Sequence, residues 1–368
     1  MAGIGKKIIQ LDTRLNMKNN LSKLLIIGAY PENKIYGGIV TDCKKLRNSN
    51  IYKNFDVEEF DSSQKSNPPP GFFTRLIHAS IRFMSLTKKL LLNKYDVLII
   101  FFSNGAGAFE KLIYSRIFQS RTRKIIMLPR AGALKNELHS FSWIFKRLIK
   151  HSLDKKISWF VQGSDLKDAL QKGPYLQKSV EIVNPWAFEF SQRLDYVSES
   201  SKVHIIYVGW LEPLKGVKDL MNIIKFTNGN HKYSIIGNGS LENEVHDFAI
   251  ENDNVEFLGW KTPDDLSKLY QQSHILVLPS YTEGLPNVIV EAMCNGLAIV
   301  STDVGEISDI VDHDDLFVPG ESQRIADRIN NLISDKTLLK NKMVSSHNYA
   351  KRNFGIDSIN LKLKDLLY

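Results

Sequence analysis

The sequence predicts an α/β protein built as two tandem Rossmann-like domains, and three observations carry that prediction. Short, continuous apolar runs recur along the 368 residues. Helix-length segments separate them, as expected for strands buried on both faces of a parallel sheet. The alternation pauses at a polar stretch, SQRLDYVSESSK (191–202), and restarts at 203. A chain of this length divides naturally into two cores.

The elements follow in order. The opening MAGIGKKIIQLDTRLN lacks the apolar core of a signal peptide. Met17 begins MKNNLSKLLIIGAY, which reads as a natural bacterial-type start, with residues 1–16 an upstream extension. Strands are predicted at KLLIIGAY (23–30), VLIIFFS (97–103), KIIMLP (124–129), ISWFV (157–161) and VEIVN (180–184). In the second half they fall at HIIYVG (204–209), YSIIG (233–237), VEFLG (255–259), HILVLP (274–279) and LAIVST (297–302). The expected organisation is an N-terminal Rossmann-like domain (1–190), a C-terminal Rossmann-like domain (203–345) and a terminal helix (346–368) packing back toward the first domain. Ligands of such sheets bind at the carboxyl ends of the strands.

Composition narrows the class. Hydrophobic residues at 43% and charged residues at 24% are ordinary for a globular protein. Cys43 and Cys294 form no CxxC or Cys/His pattern, which argues against a disulfide scaffold or zinc site and fits a reducing compartment. No apolar run reaches the roughly 18–20 residues of a membrane span. Charge is divided unevenly. Residues 1–190 hold 31 Lys+Arg against 15 Asp+Glu, net +16, while residues 191–368 hold 17 against 25, net −8. Such asymmetry points to different partners for the two halves, an anionic surface among them. Lysine-rich faces that merely solvate the protein are the plainer account. The segment GFFTRLIHASIRFMSLTKKLLL (71–92), after Pro68-Pro69-Pro70, reads as a basic, aromatic-rich helix, and SWIFKRLIKHSLDKK (142–156) has similar character. Each fits either a helix packed on the sheet or an interfacial helix meeting anionic lipid.

The densest chemistry lies in SYTEGLPNVIVEAMCNG (280–296), where Glu283 and Glu291 stand eight positions apart around a Gly-Leu-Pro turn and an apolar stretch. A strand, a tight turn and a helix start with an acid at each end suits a phosphorylated, hydroxyl-rich ligand. Helix-start amides take phosphate and carboxylates accept from sugar hydroxyls. VGWLEPLKG (208–216) offers Lys215 as a point charge for a diphosphate. IIGNGSLENEV (235–245) brings a Gly-x-Gly turn at Gly237 and Asn238. YPENKIYGGIV (30–40) puts Gly37 and Gly38 at the start of a helix. Taken singly, the Lys-Gly and Gly-x-Gly signals are weak, and a simple turn is the better reading of the Gly-x-Gly alone. No GxGxxG fingerprint follows the first strand, which disfavours a nicotinamide dehydrogenase. No nucleic-acid motif accompanies the basic half.

Read in order, these motifs resemble the retaining glycosyltransferases of family 4, which have the GT-B fold. The resemblance covers most of the chain and is strongest from 203 to about 320, with EGLPNVIVEAMCNGLAIVSTDVG (283–305) matching the family's Glu, seven residues, Glu signature. It implies that Glu283 faces the donor sugar and Glu291 the ribose. It implies that Gly284, Leu285 and Pro286 bring amides to the diphosphate, that Lys215 binds that diphosphate, and that Gly38 lies near the phosphates with Asn287 beside the donor. Leu285 and Pro286 also fit a purely turn-shaping role. Three positions depart from the family. Trp210 stands where Arg is usual, leaving Lys215 or another basic residue such as Arg130 to substitute. MLPRAGALKNE (127–137) lacks the family's His, so that Arg130 or a backbone group takes its place, with His139 and His78 the nearest histidines. Gly305-Glu306 replaces Gly-Gly.

The reaction implied is transfer of a sugar from a nucleotide-sugar, UDP- in preference to GDP-, to an acceptor hydroxyl with retention. No cofactor is expected, and since no Asp-x-Asp stands in a plausible site, no metal. The acceptor implied is a lipid-linked glycan in bacterial surface polysaccharide assembly (O-antigen, capsule or exopolysaccharide), with the protein cytoplasmic and peripheral at the inner face of the membrane. Two other readings stand beside it. A nucleotide-sugar epimerase of the same fold would isomerise its sugar without acceptor, and a non-catalytic nucleotide-sugar binder would turn nothing over.

Overall fold

The structure is a computed structural model, and it describes residues 21–30, 38–47, 49, 51–63, 71–103, 105–130, 156–171, 180–183, 188–191, 202–229 and 231–367. Two compact units divide after residue 186. Segments 131–155 and 172–179, Gly37 and His139 fall outside the described residues, and most of the second basic segment (142–155) falls with them.

The first unit is a six-stranded parallel sheet: β1 (Lys23–Gly28), β2 (Asp56–Asp61), β3 (Val97–Phe102), β4 (Lys124–Pro129), β5 (Ile157–Val161) and β6 (Val180–Ile182), in the order β2-β1-β3-β4-β5-β6. Helices α1 (Gly38–Arg47), α2 (Ile51–Asn54), α3 (Phe72–Leu92), α4 (Ala106–Phe118) and α5 (Ser164–Gln171) accompany it. The central strand β3 is buried at every residue, VLIIFF, which is why it reads as an unbroken apolar run. Strand β2 went unnoticed in the sequence for the opposite reason. It is an edge strand of sequence DVEEFD, half-buried and acidic, paired to β1 on one side only. Arg47 of α1 and Tyr52 of α2 close on Glu59 of β2, so its acids hold neighbouring helices.

The second unit repeats the plan. Strands β7 (Val203–Val208), β8 (His231–Ile236), β9 (Val255–Gly259), β10 (Ile275–Leu278), β11 (Ala298–Thr302) and β12 (Leu316–Phe317) form a parallel sheet in the order β12-β11-β10-β7-β8-β9. Its helices are α6 (Val217–Phe226), α7 (Glu242–Ile250), α8 (Pro263–Gln272), α9 (Asn287–Cys294), α10 (Ser322–Ser334), α11 (Lys336–Phe354) and α12 (Ile356–Leu367). Residues 188–191 belong to this unit. Phe188 stacks edge-on to Phe354, with its amide on the Phe354 carbonyl, and the Ser191 amide donates to Cys294. The stretch predicted as one terminal helix from 346 is the end of α11 and all of α12, broken at Gly355. A Cβ at Gly355 would press on the Lys351 carbonyl, so the break needs a residue without one.

In each sheet the chain winds outward both ways from one point. In the second unit β7 leads to β8 and β9 on one side, while β10 leads to β11 and β12 on the other. The crevice at the carboxyl ends of β7 and β10 is therefore the topological switch point, where open α/β sheets place their ligands.

Candidate functional site

The loop leaving β7 carries Gly209, Trp210, Leu211 and Glu212, then a 3-10 turn, Pro213–Lys215, and Gly216. Bonds to the neighbouring loops hold it rigid. The Gly209 amide donates to Ile236 (3.1 Å), Leu211 to the Asn238 carbonyl (2.8 Å) and Leu241 to Leu211 (2.9 Å). Glu212 accepts from the Ser240 amide (2.9 Å) and hydroxyl (2.6 Å). Those two bonds, the hydroxyl first, hold the Glu212 carboxyl below the usual range. From beneath, the buried Tyr207 hydroxyl donates to the Trp210 carbonyl (3.1 Å) and reaches that of Lys215 (3.4 Å). Burial, and secondarily the Glu283 carboxylate, push the Tyr207 proton far above its ordinary range, so it stays a donor.

The exit of β10 clamps the same loop from the other side. The Tyr281 amide donates to Leu214 (3.0 Å), and the Pro279 carbonyl lies where a Cβ on Gly216 would be. Gly216 has φ +68°, the left-handed region that favours glycine, so two requirements coincide there. The result delivers Lys215 to Glu283. The ammonium donates to Oε1 at 2.7 Å and lies 3.4 Å from the Thr282 carbonyl. The side chains are 26% and 12% exposed, so the pair sits in the mouth of the crevice, partly shielded from water.

Behind the pair, Gly305 (φ +61°) lets the turn after β11 lie directly on the backbone of Glu283 and Gly284. A Cβ there would overlap the Glu283 carbonyl. The next amide, Glu306, donates to Gly284 (3.1 Å). The departure Gly305-Glu306 thus keeps the glycine that the close approach demands. Leu285 points inward and is buried, anchoring the turn. Pro286 is the N-cap of α9 and Asn287 its first residue, so the helix start opens beside Glu283. Glu291 sits half-buried one turn along α9. The wholly buried Tyr270 of α8 neighbours it. Burial first, then the Glu291 carboxylate, raises the Tyr270 proton well above its usual range.

The other residues singled out from sequence are placed as follows. Gly237 donates its amide to Gly259 (3.1 Å), in register with the Asn238 contact to the β7 loop. Trp210 is 41% exposed on that loop. Gly38 opens α1 in the first unit, where an added Cβ meets nothing within 4 Å. His78 is half-buried on α3. Arg130 follows β4 in the first unit. Its side chain is 3% exposed and pairs with the equally buried Asp42 of α1 at 3.2 Å. Burial pulls the Arg130 guanidinium down to about 10, against the opposing Asp42 carboxylate. A guanidinium sealed against a carboxylate in this way is a structural cation. Asp42→Ala is expected to destabilise the protein by about 3 kcal/mol by removing one partner of a buried ion pair. Urea unfolding measures this, and a loss below about 1 kcal/mol would remove the structural role.

Tyr207, Ser240 and Tyr270 escaped the sequence reading. Tyr207 and Tyr270 occupy apolar positions of a strand and a helix, and their spacing is that of core residues. Only the loop folded over Tyr207 gives its hydroxyl work.

Residues 191–352 match the family Glycosyl transferases group 1. Among relatives, the chain is 24% identical to the Campylobacter jejuni GalNAc-alpha-(1->4)-GalNAc-alpha-(1->3)-diNAcBac-PP-undecaprenol alpha-1,4-N-acetyl-D-galactosaminyltransferase, covering 76% of each. It is 30% identical to the Staphylococcus aureus capsular polysaccharide biosynthesis glycosyltransferase CapM over 40% of each chain. Sucrose-phosphate synthase from Thermosynechococcus elongatus superposes with a TM-score of 0.75 at 14% identity, over 94% of this chain and 98% of that one. Anabaena Alr3699/HepE in complex with UDP-glucose does so with a TM-score of 0.63 at 19% identity, over 94% and 99%. The fold is therefore GT-B-like, and the second unit of this chain carries a Glycosyl transferases group 1 domain.

Proposed function

We propose that the protein is a retaining glycosyltransferase that moves a sugar from a nucleotide-sugar, UDP- in preference to GDP-, to a hydroxyl of a lipid-linked glycan in bacterial surface polysaccharide assembly. The observation that carries this reading is the Lys215–Glu283 pair at the switch point, 2.7 Å apart beside the start of α9. The ammonium keeps donors for a diphosphate while the carboxylate keeps acceptor capacity for sugar hydroxyls. The C. jejuni relative's lipid-diphosphate acceptor and the UDP-glucose bound by the Anabaena protein support the acceptor and donor classes.

In this mechanism the bond from the anomeric carbon to the phosphate oxygen breaks as the acceptor oxygen attacks the same face. The departing phosphate oxygen takes the acceptor's proton. Negative charge grows on the leaving diphosphate, and Lys215 with the amides at the start of α9 stabilises it from positions set before the reaction. Glu283 holds the transferred sugar and Glu291 the ribose. Leaving-group stabilisation is assigned to these groups and not to a divalent metal.

A thermal-shift panel of UDP, GDP, UDP-glucose and GDP-mannose tests the donor reading. The UDP compounds are expected to raise the melting temperature by mass action, and a response confined to the GDP pair reverses the assignment. Hydrolysis of the UDP-sugar that disappears in Glu283→Ala excludes the non-catalytic binder. Conversion of that sugar to an epimer without acceptor would instead establish the isomerase. Trp210→Arg is expected to lower the donor KM by about fivefold, a discounted value for a charge-assisted bond at a part-exposed site. A KM unchanged or raised would show that the indole itself serves the donor.

A further inference from the structure

Helix α3 carries an apolar face that is exposed among the described residues. Phe73, Leu76, Ile77, Ile81, Met84, Leu91 and Leu92 are each more than half exposed, Phe73 at 78%. They are seven of the nineteen exposed large apolar side chains among the described residues, concentrated on 21 residues of helix. At 100° per residue they share an arc of roughly 160° along about 31 Å of helix. The opposite side is the ordinary one. Leu86 and Leu90 enter the core, and Phe83 stacks on Tyr114 at 5.9 Å. Arg82 pairs with Glu110 and Lys89 with Glu58, fastening that side to α4 and β2. The outer arc is thus a second apolar face on a helix that has already used its first.

We infer that this outer arc docks on an anionic lipid surface. The helix contains Arg75, Arg82, Lys88 and Lys89 and no acidic residue. Lys88 is exposed within the arc, and Arg75 is exposed on the other side of the helix. An interface of acyl chains under phosphate headgroups meets both features together. A second copy of the chain meets only one. It would set this basic helix, within a half carrying net +16, against its own like charge. The inference deepens the lipid-linked acceptor reading above by naming the surface that brings the protein to its acceptor.

Sedimentation of the whole protein with vesicles tests it. Binding is expected to phosphatidylcholine vesicles containing phosphatidylglycerol at low salt, with loss as salt rises and with phosphatidylcholine alone. The double variant Ile77→Asp/Met84→Asp is expected to lose binding at least tenfold. Lys88→Gln is expected to weaken it about fivefold. These side chains project outward, so circular dichroism and the UDP thermal shift should stay as in the parent. A parent protein that remains in the supernatant overturns the proposal, as does a double variant that sediments like it. Light scattering that shows a parent dimer turned monomer by the double variant assigns the face to a second copy and also overturns it. Vesicle binding without any nucleotide response would sink the donor reading and leave the docking surface standing.

Discussion

Lys215→Ala is expected to lower kcat for sugar transfer by about 10²–10³-fold, or roughly 3–4 kcal/mol of transition-state stabilisation. The reason is positional. Lys215 reaches the crevice from a loop fixed by six neighbouring hydrogen bonds and the Tyr207 hydroxyl, and its ammonium stands 2.7 Å from Glu283. In the proposed mechanism charge grows on the leaving diphosphate only as the reaction proceeds, so removal should fall on kcat more than on donor KM. Lys215→Arg keeps the charge and replaces a compact ammonium by a planar fork, so it should recover only part of the rate. Trp210 on the same loop makes this dependence steeper, since it supplies no charge of its own. A Lys215→Ala enzyme within threefold of the parent in kcat would move the leaving-group role elsewhere.

Gly216→Ala is the second large effect, and it acts through the backbone. The residue has φ +68° and lies against the Pro279 carbonyl. A methyl group there requires both a left-handed alanine, costing about 1–2 kcal/mol, and separation of the β7 loop from the β10 exit. The two together are expected to destabilise the second unit by about 3–5 kcal/mol. For a unit of this size that is a fall in melting temperature of roughly 6–15 °C. Because Gly216 directly follows Lys215, transfer should fall along with stability. Thermal unfolding followed by calorimetry measures the first quantity, and a loss smaller than about 1 kcal/mol would mean that the loop moves freely at that point.

Much of this was open to a reader of the chain alone. The unbroken apolar runs of β1, β3, β7, β10 and β11 announce buried parallel strands because both of their faces are covered. Glu283, Gly284, Leu285, Pro286 and Glu291 announce a site because they are close in sequence and their types suit a sugar nucleotide. Strand β2 stayed hidden because an edge strand with half-buried acids has no such run, and β12 because two residues make no pattern. The amphipathic character of 71–92 was legible. That its apolar residues outnumber what the core can cover was not, since periodicity does not tell a packed face from an exposed one.

The sequence by itself determined the residue chemistry and the strand–helix order, both of which are local properties of the chain. Only the tertiary structure decided which groups meet. It set Lys215 on Glu283 across 68 positions, sealed Arg130 on Asp42, placed Tyr207 beneath one loop and left the outer arc of α3 uncovered. The physical reason is that pairing, burial and close backbone approach depend on which strands lie side by side. Sheet order places β10 next to β7 although β8 and β9 intervene in the chain.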